Sequence, residues 1–209
     1  CCSGPSRPSG CDALCPGTAS LARVRTFQAM VMTPLDAQLM AVDAIARHLH
    51  GGGAALMPTD TLPALACSPP SAAQIWTLKQ RPQDKPLILM AAEVSDLLDL
   101  TTDSARVDAL PLVDRYWPGP LTLVLPAEGA LTHHLNPGQD TLGMRIPACA
   151  LTRSLLARSG PLATTSANRS GATPNCSAEQ AAAAFPDLPL LGPLPWPQPS
   201  GLASTVLKW

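Results

Sequence analysis

Apolar and polar positions along the chain follow two different periods. In "TPLDAQLMAVDAIARHLHGGG", residues 33–53, Leu35, Leu39, Val42, Ala46 and Leu49 recur at the spacing of one helical face. Thr33 can cap such a helix, Pro34 and Asp36 suit its first turn, and Gly51 supplies its stop. The pattern then shortens. "AALMP" (54–58) is an apolar run of strand length, and "LPALAC" (62–67) follows after the polar triplet Thr59-Asp60-Thr61. "SAAQIWTLKQ" (71–80) predicts a helix ending near Arg81, because Pro82 disfavours helix at the residue before it. "PLILMA" (86–91) predicts a strand with no charge. Residues 93–116 carry one or two amphipathic helices, with Pro111 as a break or a first-turn residue.

Beyond residue 116 the alternation continues. "LTLVLP" (121–126), "TLGMRIP" (141–147) and "PLATTS" (161–166) predict strands. "ALTRSLLARSG" (150–160) predicts a helix with a glycine stop, and "SAEQAAAAF" (177–185) a shorter one. A proline-dense loop over 186–199 leads to a final strand in "ASTVLKW" (203–209). Strands alternating with helices and joined by short connections argue for an α/β domain with a mixed sheet.

Composition narrows the function classes. Apolar residues make up 46% and charged residues 14% of the 209-residue chain, so it can bury a sizeable core. No apolar run approaches the roughly 20 residues needed to cross a bilayer, so a soluble, cytoplasmic protein is expected. The formal net charge of −1 gives no global field for polyanions, so any phosphate site must be local. Residues 1–32 differ from the rest and are set aside as a flexible N-terminal extension, either an upstream addition or the remnant of an organelle-targeting segment; the domain is expected over 33–209. Cys1, Cys2, Cys11 and Cys15 crowd that extension, but without a Cys-x2-Cys pair or a nearby histidine. Cys67, Cys149 and Cys176 are scattered and read as small buried or half-buried side chains in a reducing compartment.

The candidate chemistry gathers around "TLKQRPQDKPLILM" (77–90). The chain holds only three lysines, and Lys79 and Lys85 both fall here, on either side of Arg81. Residues two apart on a helix face different ways, so Lys79 and Arg81 converge on one ligand only if the helix unwinds between them. An ammonium and a guanidinium at a helix end suit a polyphosphate, or a phosphate plus a carboxylate; the bland alternative is a solvated charged turn. Thr59, Asp60 and Thr61 sit where a plain hairpin would prefer Asn-Gly. "TTSANRSG" (164–171) closes a strand with hydroxyls, an amide and a glycine, which suits either a capped turn or an anion-binding loop. Arg145 is a lone charge in an apolar strand and either snorkels outward or faces a ligand. No GxxxxGK[ST] loop or GxSxG elbow is present, and His48, His50, His133 and His134 lack partners at metal-ligand spacing.

Taken in order, "PTDT", "KQRP…KPL", "WPGPLTLVL", "MRIP", "TSANRSG" and "STV" resemble the YrdC/Sua5 family over residues 35–208. Each motif is weak alone, but six in order are specific. The resemblance implies a single-domain twisted mixed sheet flanked by helices, with a large, positively lined concave cleft. It implies an L-threonylcarbamoyladenylate synthase, a nucleotidyltransferase joining L-threonine, bicarbonate and ATP into threonylcarbamoyl-AMP with release of pyrophosphate. The product would pass to a tRNA threonylcarbamoyl transferase complex for t6A modification. By similarity, Lys79 and Arg81 hold phosphates and stabilise the departing pyrophosphate with Mg2+, and Lys85 adds to the field. Ser166 and Asn168 bond nucleotide and threonine groups. Arg145 pairs with the threonine carboxylate or carbamate, Thr59 and Thr61 line the amino-acid pocket, and Ser204 closes its far side. The stem of Lys79 is expected to face solvent.

Departures from the pattern are local. The family continues PT(D/E)T with Val-Tyr-Gly, whereas this chain has Leu62-Pro63-Ala64, and Met90 stands where long-form members carry a histidine. No second domain follows Trp209, so the short form is expected, with a last strand lost beyond "STV". Two other readings follow from the same residues: a paralogue of this fold binding nucleotide or double-stranded RNA without synthase activity, and a pure RNA-binding or ribosome-maturation module. The scarcity of aromatic residues weakens single-strand RNA binding.

Overall fold

Two opposed apolar clusters, one on each face of a mixed sheet, organise the computed structural model, which describes residues 34–82 and 85–209. The first elements are α1 (Pro34–Gln38), β1 (Leu39–Met40), α2 (Val42–His50), β2 (Ala54–Met57) and β3 (Ala64–Cys67). A 3-10 turn at Pro69–Ser71 leads into α3 (Ala73–Lys79), β4 (Ile88–Met90), α4 (Ser95–Leu98) and α5 (Asp103–Tyr116). Next come β5 (Leu121–Pro126), α6 (Ala130–Leu135), β6 (Thr141–Arg145), α7 (Ala150–Ser159) and β7 (Leu162–Ser166). The last are α8 (Ala178–Ala184), β8 (Leu190–Leu191) and β9 (Thr205–Lys208). The described residues form one compact unit. The expected extension over 1–32, its cysteines and the cap at Thr33 lie outside the described residues.

The strands of the described residues form one sheet in the order β1-β8-β2-β3-β7-β4-β6-β5-β9. The β2/β3, β3/β7, β7/β4 and β6/β5 pairs are antiparallel, while β1/β8, β8/β2, β4/β6 and β5/β9 are parallel. The mixed α/β sheet expected from the sequence is thus present. Along β2, Ala54 and Leu56 enter one cluster and Ala55 and Met57 the other, as a strand buried on both faces requires. Helices α3, α4, α5 and α8 send Ile75, Leu97, Val113 and Ala181 into the first cluster. The opposite face is packed by Ile45 and Leu49 of α2 and Leu155 and Leu156 of α7. Ala64 and Met90 belong to this second cluster yet also line an open cleft, so the cleft occupies sheet surface that α2 and α7 leave uncovered.

Two expected elements need correction. The single helix over 33–50 is broken: Leu39 and Met40 pair with Leu190 and Leu191, and Gly192 N–H donates to Met40 O at 2.8 Å. Apolar side chains that mimic a helical stripe are satisfied by strand pairing instead, and α2 starts only after the extended Ala41. Pro111 neither breaks nor begins α5 but lies within it. It is exposed, while Ala105, Ala109 and Val113, four residues apart, bury the opposite stripe and hold the helix together. β1, β8 and α6 are elements that sequence patterning did not distinguish.

Candidate functional site

The cleft, about 320 Å3, is lined by ends of strands that are distant in sequence. Sheet register explains its floor. Ala64 pairs with Ser166, Ile88 with Thr164 and Met90 with Arg145, so strand neighbours place an apolar centre beside hydroxyls and one guanidinium. Leu62, Pro86 and Val206 extend the apolar surface, and Arg81, Thr165, Asn168 and Ser204 complete the polar rim.

The turn between β2 and β3 is the most heavily anchored part of the rim. Thr59 Oγ1 accepts from the N–H of Thr61 at 3.1 Å and of Leu62 at 3.2 Å, and donates to Leu62 O at 2.7 Å. Its hydroxyl therefore shapes the turn that lines the cleft. Thr152 of α7 donates to Pro58 O, Ala167 N–H to Pro63 O at 2.8 Å, and the N–H groups of Ser200 and Gly201 to Asp60 O and Thr61 O at 3.0 Å. A rigid six-residue connection with polar side chains replaces the tight hairpin turn that Asn-Gly would have made.

Arg145 is buried at 2% exposure and faces inward. Its Nε donates to Gly119 O at 2.9 Å and Nη1 to Thr61 Oγ1 at 2.8 Å, while Nη2 forms an ion pair with Asp60 Oδ1 at 2.8 Å. Burial pulls the guanidinium pKa below its usual range, and the Asp60 carboxylate opposes that pull. The group remains a cation, since arginine starts so far above neutral pH.

The helix end that carries Lys79 and Arg81 does unwind between them. Gln80 adopts φ 51°, ψ 46°, its N–H donates to Thr77 O at 3.1 Å, and Arg81 N–H reaches back to Trp76 O at 2.9 Å. That is a Schellman closure with glutamine where glycine is usual. It sends the two cations in different directions. Arg81 turns to the cleft, with Nη1 donating to Thr165 Oγ1 at 3.0 Å and Nη2 to Pro86 O at 3.2 Å. Lys79 is 2% exposed and donates from Nζ to Ser166 O, and its own carbonyl accepts from Ser170 N–H at 3.1 Å. The expectation of a solvent-facing stem is therefore wrong, because the left-handed turn packs α3 against the loop after β7. Burial, reinforced by nearby Arg81, lowers the ammonium pKa to about 8.

The loop after β7 is ordered from within. Ser166 Oγ donates to Asn168 Oδ1 at 2.6 Å, and Asn168 Nδ2 donates to the carbonyls of Arg169 and Ala172 at 2.9 Å. Ser204, just before β9, shares a 2.8 Å hydrogen bond with Thr122 of β5. Thr59, Thr61, Arg81, Arg145, Ser166, Asn168 and Ser204 thus meet at one cleft. Lys79 lies behind Ser166, and the exposed Lys85 lies outside the lining. Sequence reasoning overlooked Asp60, Thr164, Thr165 and the apolar floor. All three stood inside motifs already singled out, but none of them was assigned a role in the site.

The histidines are structural or solvated, as expected. His48 Nε2 lies 3.1 Å from Ala54 O, and its ring occupies the space that a Cβ on Gly53 would fill. Cys67 and Cys149 are buried and Cys176 is half-buried, all with free thiols.

A mixed sheet whose strand ends bring cations, hydroxyls and an amide together over an apolar floor defines an α/β protein with a strand-end ligand cleft. The family model described as telomere recombination, Sua5/YciO/YrdC, matches residues 47–209, and the chain belongs to this family. It is 38% identical over 135 residues to the threonylcarbamoyl-AMP synthase of Idiomarina loihiensis, covering 62% of this chain and 73% of that one. It is 40% identical over 130 residues to the Bacillus subtilis protein of the same name, covering 60% of this chain but only 37% of that one. The structure of P. abyssi Sua5 complexed with L-threonine superposes with a TM-score of 0.74 at 30% identity, covering 80% of this chain and 50% of that one. The chain therefore spans most of one of these relatives and half or less of the other two.

Proposed function

We propose that the chain is an L-threonylcarbamoyladenylate synthase, forming threonylcarbamoyl-AMP and pyrophosphate from L-threonine, bicarbonate and ATP. The observation that carries the reading is the meeting of Arg81, Arg145, Thr61, Ser166, Asn168 and Ser204 at one cleft from separate strand ends. Membership in the family and the names of the relatives support it.

The threonine amine takes up bicarbonate with loss of water, giving a carbamate. A carbamate oxygen then attacks the α-phosphorus of ATP, and the bond to the bridging oxygen breaks as pyrophosphate leaves. Such a displacement needs placement and charge neutralisation more than covalent help. Arg145, at the floor, pairs with the carboxylate or carbamate, while Arg81 at the rim neutralises phosphate oxygens. Ser166, Asn168, Thr61 and Ser204 supply the uncharged polar partners. Lys79 supports the β7 loop from behind and adds positive charge near the phosphates below its lowered pKa. Mg2+ would neutralise the triphosphate when bound. The residues lining the cleft include no carboxylate, so the ion fits a site made of phosphate oxygens and water. Delivery of the product to a tRNA-modifying transferase belongs to the same reading, as does a cytoplasmic location.

Pyrophosphate release is expected only when L-threonine, bicarbonate and ATP are all present. Release without threonine, or ATP binding with no turnover in the complete mixture, would replace the synthase reading with that of a nucleotide-binding paralogue.

A further inference from the structure

We propose that Asp60 is a positioning residue for the amino-acid end of the cleft, acting through Arg145 rather than on the substrate; the inference rests on the synthase reading above. Asp60 does not line the cleft. Its Oδ1 lies 2.8 Å from Arg145 Nη2 and accepts from Ala148 N–H at 2.9 Å, so one carboxylate oxygen links the guanidinium to the turn leading into α7. Its main-chain carbonyl accepts from Ser200 N–H, three residues before Ala203 and Ser204 of the cleft wall. The same residue therefore ties together the floor cation, the start of α7 and the strap that becomes β9.

The geometry around Arg145 leaves little freedom. Gly119 O, Thr61 Oγ1 and Asp60 Oδ1 contact three different nitrogens of the guanidinium and fix both its plane and its position. Of these three partners only Asp60 carries charge. A guanidinium that is 2% exposed has little solvent to replace a lost counter-ion. Neutralising Asp60 leaves Nη2 with at most a neutral acceptor in place of its counter-ion, so the group is held less firmly and its fit to a substrate carboxylate suffers first. Phosphate contacts at Arg81, which is held by Thr165 and Pro86, do not depend on Asp60.

The test uses the full chain and titrates L-threonine and ATP separately by calorimetry, with circular dichroism to establish folding. Asp60→Asn is expected to weaken threonine binding about tenfold or more while leaving ATP affinity within about twofold. Asp60→Glu, which keeps the charge but moves it by one methylene, is expected to fall between, at about threefold. Unchanged threonine affinity in folded Asp60→Asn, or equal losses for both ligands, overturns the inference. Should Asp60→Asn not fold, Asp60→Glu decides: a loss confined to threonine supports the role, and a loss in neither or both refutes it. An unmodified chain that binds no threonine defeats the functional reading itself and the inference with it, a result distinct from the others.

Discussion

Lys79 shows how far one side chain's environment departs from what its neighbours in sequence suggest. The charged cluster reads as solvated, yet the ammonium is buried against Ser166 O with its pKa lowered to about 8. Between that value and the ordinary 10.5, the unfolded chain holds a proton that the folded chain has shed. Stability from this group therefore rises with pH across that window, by up to about 3 kcal/mol, and is flat below it, where both states are protonated. Cys67 acts in the other direction: burial raises its thiol pKa from 9 to about 12, so its contribution falls as pH rises through that range. Comparing Lys79→Met with the unmodified chain cancels the cysteine. The difference in urea-unfolding free energy is expected to grow in favour of the lysine form from pH 8 to 10.5, and a constant difference would show that the ammonium is not buried. Arg145 was legible as a ligand-facing or snorkelling charge, because a guanidinium in an apolar strand must find either water or a polar partner. Its partner Asp60 was not, since the pairing joins residues 85 apart in number, from the β2–β3 connection to the end of β6.

At the scale of the element, strands with strong alternation or fully apolar runs were readable, and short or broken elements were not. β2, β3, β4, β5 and β6 coincide with largely apolar runs in the sequence, and β7 with the predicted strand "PLATTS". β1 failed because its two residues also satisfy helical spacing, and only the distant Leu190–Leu191 decides between the two. Pro111 misled because local chemistry ends helices, whereas packing of Ala105, Ala109 and Val113 sustains this one. Pro111→Ala is expected to stabilise the fold by about 2 kcal/mol, the helix-interior cost of proline less its benefit in the unfolded chain. Thermal denaturation checks it, and an unchanged midpoint would show that α5 has already relaxed around the ring. Gln80 is a second element-end feature. Among the described residues it is the only non-glycine at positive φ, and it is exposed. Gln80→Gly is expected to stabilise by about 1 kcal/mol, measurable as a raised denaturant midpoint with unchanged slope.

On the scale of the whole molecule, the strand order carries the function. β4 and β6 are adjacent although the paired Ile88 and Gly143 are far apart along the chain, and β9 lies beside β5 across most of the C-terminal half. The sequence announced the pieces of the cleft as ordered motifs, and family resemblance indicated that they meet. Periodicity by itself could not, because strand order is a long-range property. The requirement for all three substrates in pyrophosphate release is tested at this same scale, since no single element holds enough of the cleft to bind a triphosphate.

The strap bonded through Ser200 and Gly201 to the β2–β3 turn has a kinetic corollary. The wall of the cleft stays unfinished until residues 200–206 dock, so partly refolded chains lack ligand competence even when most of their sheet exists. Nucleotide-induced fluorescence or protection would accordingly time the docking of this strap, lagging behind the recovery of secondary structure.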